Sequence, residues 1–361
     1  MLSRVEIKNY RGFRAFKAEG LSRVNLFVGK NNSGKTAVLE GIQLLTSHGD
    51  PGVLAEVADR RGEIILSRPE TNSRQIDIAH FFHGHTFAAD SSITFQGDNG
   101  YQPIVVNVFS PKREQSDTSK QRTSQDLALR IGGTKQEDRP VFPISREGGV
   151  DLDVPSRFRG MGNVRRSRGP QVRFVGPESL NTVELAVMWD DITLSGQEVD
   201  VASALRVLDP NLESLHFLTG MLASGYFPSR AGIVVGLKGT DGRIPIGSMG
   251  DGMRRLMAIS TSLAFTKEGC LFVDEIDTGL HYSIMADMWR LIVMKAIASN
   301  TQVFATTHSW DCIEGLSQLL GNSPEFSQEV AIHKIDRQLS HSVGFSGDSI
   351  VGMIKSHIDP R

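Results

Sequence analysis

Residues 24–36 read VNLFVGKNNSGKT, and they run directly into KTAVLEGIQLLTSHG, residues 35–49. The apolar, β-branched run before Gly29 reads as a strand. Beyond the loop, Val38, Leu39, Ile42, Leu44 and Leu45 recur at helical spacing. Between them, Gly29, Lys30, Asn31, Asn32, Ser33, Gly34, Lys35 and Thr36 satisfy GxxxxGK[ST] at every fixed position. Strand, glycine loop and helix are the context that gives this motif its meaning. Glycines let backbone N–H groups curve around phosphate oxygens, and the helix N-terminus adds its positive dipole end. Lys35 is expected to reach the β- and γ-phosphates, and the Thr36 hydroxyl to coordinate Mg2+.

Outward from this stretch, RVEIKNY, SSITFQG, YQPIVVNVFS and DLALRIGG read as strands, the last three as an antiparallel group. CLFVDE and QVFATTHS are buried strands, each followed by an amphipathic helix, and EVAIHKI and HSVGF are two short strands near the end. The fold class is α/β, with parallel buried strands late in the chain and an antiparallel lobe early. Residues 50–75 are mixed and charged and read as a surface excursion. PKREQSDTSKQRTSQ, residues 111–125, is nearly free of apolar residues and reads as a mobile hairpin loop. Residues 178–218 read as a helical insert between sheet segments. The expected division is 1–100, the first half of the head with its glycine loop; 101–177, antiparallel strands and loops; 178–218, the insert; and 219–361, the second half.

The 361 residues carry 39 basic and 41 acidic side chains, a formal charge of −2. Bulk electrostatics therefore does not make the chain a polyanion binder, and a nucleic-acid contact needs a local patch. Two cysteines, Cys270 and Cys312, exclude a disulfide scaffold and a cysteine zinc site. The amino-terminal MLSRVEIKNYRGF is charged and alternating, unlike a signal peptide, and no apolar run reaches membrane-spanning length. A cytoplasmic protein without membrane contact is expected.

CLFVDE ends an apolar strand on two carboxylates. Asp274 is placed to hold Mg2+, directly or through water, and Glu275 to orient or deprotonate the attacking water. QVFATTHS delivers His308 at the end of another buried strand, where polar residues face the ligand crevice of α/β sheets. His308 there contacts the γ-phosphate or caps the next helix.

A second glycine turn, GSMGDGMRRL at residues 247–256, precedes a helical run. Gly29–Thr36, SMGDG, VDEIDTGLH and TTHS occur in the order seen in ABC-type ATPase heads, and the chain most resembles the RecF/SMC-related, OLD-like AAA ATPases of bacterial genome maintenance and phage defence. The resemblance implies an ABC-type P-loop head in which ATP lies between two copies. Ser248 would donate its hydroxyl, and Gly250 its backbone N–H, to the γ-phosphate held by the other copy, with Gly252 in the same turn. Met249 and Asp251 depart from the usual signature; Asp251 is expected to cap the helix or bind a partner's basic group. Asp277 resembles the acid that passes between the two sites. Arg11 matches a basic residue near the phosphates in SMC-like heads, with a salt bridge on the sheet surface as its alternative. Neither Gln96 nor Gln102 carries a recognisable Q-loop motif.

The resemblance also implies a homodimer or larger homo-oligomer through the ATP sites, and a separate effector such as a TOPRIM-like nuclease. This chain shows neither a long heptad arm nor the acidic residues of a nuclease domain. Arg157, Arg159, Arg165, Arg166, Arg168 and Arg173 form a basic, glycine-bearing loop that fits nucleic acid, an acidic phage-protein trigger or plain solvent. Three functions are expected to compete: an ATPase that drives an effector, an ATP-loaded scaffold and sensor with slow turnover, and a DNA-repair ATPase acting on DNA ends.

Overall fold

The computed structural model describes residues 1–66, 74–111, 127–133, 141–151, 171–180, 182–217 and 232–361. Its centre is a six-stranded sheet in the order Val172–Val175, Cys270–Val273, Gln302–Thr307, Val24–Val28, Val330–Lys334 and Val343–Ser346. The first five strands are parallel and the last is antiparallel. Successive side chains leave a strand on opposite faces, so a sheet covered on both sides needs apolar residues at nearly every position. Phe27, Phe272 and Phe304 point to one face; Leu26, Val28, Leu271, Val273, Val303 and Ala305 point to the other.

A second six-stranded sheet, wholly antiparallel, runs Phe13–Glu19, Arg4–Tyr10, Ser92–Gly97, Ile104–Phe109, Ala128–Gly132 and Val141–Pro143. The helix that follows the glycine loop, Lys35–Thr46, lies between the two sheets, and 11 of its 12 residues are buried. Even its polar Lys35, Glu40, Gln43 and Thr46 are buried, so the helix keeps almost no face for water. It approaches the antiparallel sheet so closely that a Cβ on Gly41 would stand 2.6 Å from Ile7 Cδ1. The other face of the central sheet is covered by the helices Asp251–Phe265, Met285–Ala298 and Trp310–Asn322, with Thr182–Leu194 and Glu198–Leu205 packed on the first of them.

Three expectations change. Within the supposed excursion 50–75, Pro51–Arg61 is a helix: Asp50 accepts from the N–H of Gly52 at 2.8 Å, proline opens it, and Gly62 closes it at φ 68°. Leu54, Val57 and Ala58 bury its inner face. In the supposed helical insert, Leu212–Phe217 is a strand paired with Ile233–Leu237. Arg173 leaves the basic loop: it sits in the central sheet with its guanidinium 4.5 Å over the Phe265 ring. Arg157, Arg159, Arg165, Arg166 and Arg168, and nearly all of the polar loop 111–125, lie outside the described residues.

Candidate nucleotide-binding site

Strand register brings the site together. Val28 stands opposite Thr307, and Ala305 opposite Val273, so the glycine loop, Asp274 and His308 all emerge from the carboxyl ends of three neighbouring strands. In open α/β sheets that edge is the ligand crevice.

The loop is built for close approach. A Cβ on Gly29 would stand 2.5 Å from the carbonyl of Ile335, and one on Gly34 would overlap the Phe13 ring. Both positions have positive φ, 148° and 101°, which glycine tolerates. The Lys35 ammonium is buried under the loop and donates to the carbonyls of Gly29 at 2.9 Å and Lys30 at 3.0 Å. Burial lowers its pKa, while the nearby Asp274 and Glu275 act in the opposite sense. The Ser33 hydroxyl is buried with no partner among the described residues. A buried polar atom without a partner marks a place where a ligand or water completes the bonding. Asn31 and Asn32 are exposed, and the Asn32 amide oxygen accepts from Arg337 at 2.5 Å.

Thr36 and Asp274 meet directly: the hydroxyl lies 3.1 and 2.9 Å from the two carboxylate oxygens. Thr306 donates to the same carboxylate at 2.6 Å and accepts from the Glu275 N–H at 2.8 Å. Glu275 adopts φ 48°, a left-handed turn at the strand end. Its carboxylate is 40% exposed and lies 3.7 Å from the Nδ1 of His308. His308 does not cap the next helix; Ser309 does, accepting from the Cys312 N–H at 3.3 Å.

Among the described residues no group of three or more His, Cys, Asp or Glu side chains is placed to hold a metal ion. Mg2+ bound beside phosphates requires only one or two protein ligands, the rest being phosphate oxygens and water. The Thr36 hydroxyl and the Asp274 carboxylate fit that donor set, and the partnerless Ser33 hydroxyl and the Gly29 cradle fit a phosphate.

The second glycine turn lies elsewhere on the chain. Ile246–Met249 is one turn of 3-10 helix packed on the strands Ile233–Leu237 and Ile244–Pro245. Ser248 and Gly250 are exposed, and a Cβ on Gly250 would meet nothing within 4 Å. Gly250, at φ 93°, stands at the N-cap of the helix Asp251–Phe265. Asp251 is not a cap: its side chain makes no such bond and pairs with Arg254, one turn on, at 3.2 Å. Gly252 is pressed against the next loop, where a Cβ would come within 2.8 Å of the Gly279 carbonyl. That loop is anchored by Asp277, which accepts from the Thr307 hydroxyl at 2.5 Å. A continuous path thus runs from His308 through Thr307, Asp277 and Gly279 to the second glycine turn.

Arg11 stands apart from the phosphate cradle. It is buried, and its guanidinium is spent on Glu40 at 2.8 Å and Glu63 at 2.6 Å, with the Tyr10 hydroxyl at 3.1 Å. A cation so bracketed by carboxylates in the interior has no charge to offer a phosphate, and of its two sequence readings the salt bridge describes the geometry. Thr306, Thr307 and Arg255 escaped the sequence reading. Arg255 is buried on the helix after the second turn and donates to the backbone of Asp274 and Glu275. Its sequence signal is a cation three and four positions before Ala258 and Ile259, on their face of the helix.

Comparison with known proteins places both glycine turns in recognised segments. Residues 1–139 match a family model described as "AAA ATPase domain", and residues 197–311 match one described as "AAA domain, putative AbiEii toxin, Type IV TA system". A Helicobacter pylori protein named "ATP/GTP phosphatase" is 22% identical over 347 residues, spanning 89% of this chain and 88% of its own. An uncharacterised Methanocaldococcus jannaschii protein is 30% identical over 128 residues, 32% of this chain and 57% of its own. Solved structures similar to the chain include an SMC head bound to the C-winged helix domain of ScpA, at 14% identity and TM-score 0.46 over 96% of this chain and 99% of that one. The Thermotoga maritima SMC head domain aligns at 15% identity and TM-score 0.42, over 96% and 98%. The two AAA matches cover the phosphate loop on one side and the second glycine turn, acidic strand and His308 on the other.

Proposed function

We propose that the chain binds and hydrolyses Mg-ATP between two copies of itself and uses the resulting closure to control a separate effector. The observation that carries this reading is the meeting of Thr36, Asp274, Thr306, Glu275 and His308 at the mouth of the glycine loop. The loop N–H groups and Lys35 bind the phosphates. Thr36 and Asp274 would hold Mg2+, which would supply charge neutralisation at the phosphates. Glu275, with its carboxylate open to solvent, orients the attacking water, and His308 stands where it touches the γ-phosphate.

Ser248 and Gly250 are exposed and backed by a helix N-terminus, a donor surface suited to phosphate. Two-fold pairing gives that surface a partner's γ-phosphate and yields two equivalent sites. Asp277 and Gly279 link the turn to His308, so nucleotide state and dimer closure move together.

The name of the H. pylori relative supports nucleotide hydrolysis, and the description of the second family model, with its toxin–antitoxin context, supports a role in bacterial defence. A slow, ATP-loaded sensor remains the second reading, because Glu275 and His308 are 40% and 49% exposed and complete no closed site within one chain. Steady-state turnover separates the two. Glu275→Gln is expected to lower it by ~100-fold or more while ATP-induced dimerisation persists. Negligible wild-type turnover until a trigger is added supports the sensor.

A further inference from the structure

We propose that Arg255 is the positioning residue that aims Glu275 and ties it to the helix that follows the turn of Ser248 and Gly250; this rests on the reading of Glu275 as the group that orients water. Arg255 lies five positions after Gly250, and it is 1% exposed. One terminal nitrogen donates to the carbonyl of Asp274 at 2.6 Å and to the carbonyl of Glu275 at 2.8 Å. The other donates to the carbonyl of Gly176, just past the end of the neighbouring strand. All of these acceptors are backbone oxygens, and the Nε atom has no partner among the described residues.

A buried guanidinium is costly unless its geometry does something that an apolar side chain cannot. Here one arm of its planar fork fixes two successive carbonyls at the point where the chain turns left-handed, at Glu275 φ 48°, and the other arm fixes the neighbouring strand end at Gly176. That conformation is unfavourable for a glutamate and persists only when its surroundings hold it. Thr306 takes the Glu275 N–H and Arg255 takes the Glu275 carbonyl, so the residue is pinned on both sides and the direction of its side chain is set. Burial draws the guanidinium pKa down to about 10, while Asp274, Asp277 and Glu275 support its charge from nearby. The clamp is therefore electrostatically joined to the three acids of the site. It is also rigidly joined to the second glycine turn, so whatever engages Ser248 and Gly250 acts on the aim of Glu275.

A double-mutant cycle tests this. Turnover, KM and the affinity for a fluorescent ATP analogue are measured for the wild type, Arg255→Lys, Arg255→Met, Glu275→Gln and Arg255→Lys/Glu275→Gln. Arg255→Lys keeps the charge but loses the planar fork that holds the Asp274 and Glu275 carbonyls on one nitrogen and the Gly176 carbonyl on the other. It is expected to lower kcat ~10-fold with analogue affinity within about threefold of wild type, and Arg255→Met to lower kcat further. In the Glu275→Gln background, Arg255→Lys should have almost no additional effect, because its object is already gone. If Arg255→Met fails to fold, the lysine cycle alone decides. Arg255→Lys with unchanged kcat, an equal factor in both backgrounds, or a loss that follows nucleotide affinity overturns the positioning role. Absent wild-type turnover, or turnover untouched by Glu275→Gln, instead brings down the reading of Glu275 and Arg255 with it.

Discussion

The Thr36 hydroxyl donates to both oxygens of Asp274, at 3.1 and 2.9 Å, across 238 positions of sequence. This pairing joins the glycine loop to the acidic strand end and defines the expected Mg2+ site. Asp274→Asn keeps the shape and removes the negative charge. It should lower Mg-dependent ATP turnover by ~100-fold or more and abolish the gain in nucleotide-analogue affinity that Mg2+ produces, as read by titration with and without the metal.

Arg11 predicts a stability effect rather than a nucleotide effect. Arg11→Met leaves Glu40 and Glu63, whose side chains are 1% and 12% exposed, without their shared cation. Breaking a buried ion pair on one side costs about 3–5 kcal/mol. Urea denaturation should show a loss of that order, while the folded variant retains its affinity for the ATP analogue. A weakened affinity with unchanged stability would return Arg11 to the phosphates.

His333 gives the acid limb of stability a specific source. Both ring nitrogens are buried without a hydrogen-bond partner among the described residues, beside Phe27 at 5.3 Å, and burial pushes the pKa down to about 4 from 6.5. The unfolded chain therefore takes up this proton more readily than the native one. Stability is full above pH ~6.5 and falls as pH drops toward ~4, by about 3 kcal/mol at 1.36 kcal/mol per pH unit. His333→Leu should flatten that part of the stability profile, measured by denaturation at pH 7.5 and at about pH 4.5; an unchanged slope would remove the assignment.

Much of the architecture was legible because it obeys short-range rules. The glycine loop has fixed spacing between a strand and a helix, and the strands Ser92–Gly97 and Ile104–Phe109 alternate buried and less buried positions as their sequences do. Pro51–Arg61 was not legible: only Leu54, Val57 and Ala58 are buried, and the charged remainder resembles a loop. Leu212–Phe217 became a strand through pairing with a distant segment, which local pattern does not encode. In the site, Lys35, Thr36, Asp274 and Glu275 were readable from motif chemistry. Arg11 stays open between phosphate and salt bridge in the sequence because a cation's sequence neighbours do not reveal Glu63, 52 positions away. Arg255 was invisible because its acceptors are backbone carbonyls, which have no sequence signature.

The central claim is that each ATP is held by the glycine loop of one copy and Ser248 of the other. Mixing two inactive variants, Lys35→Ala and Ser248→Arg, tests it most directly. Each homodimer lacks a working half of both sites, whereas a mixed dimer regains one complete site. With free exchange, half of the dimers are mixed and half of their sites are whole, so turnover should return to about a quarter of wild type. A mixture that forms mixed dimers yet hydrolyses no more ATP than either variant alone would contradict the account.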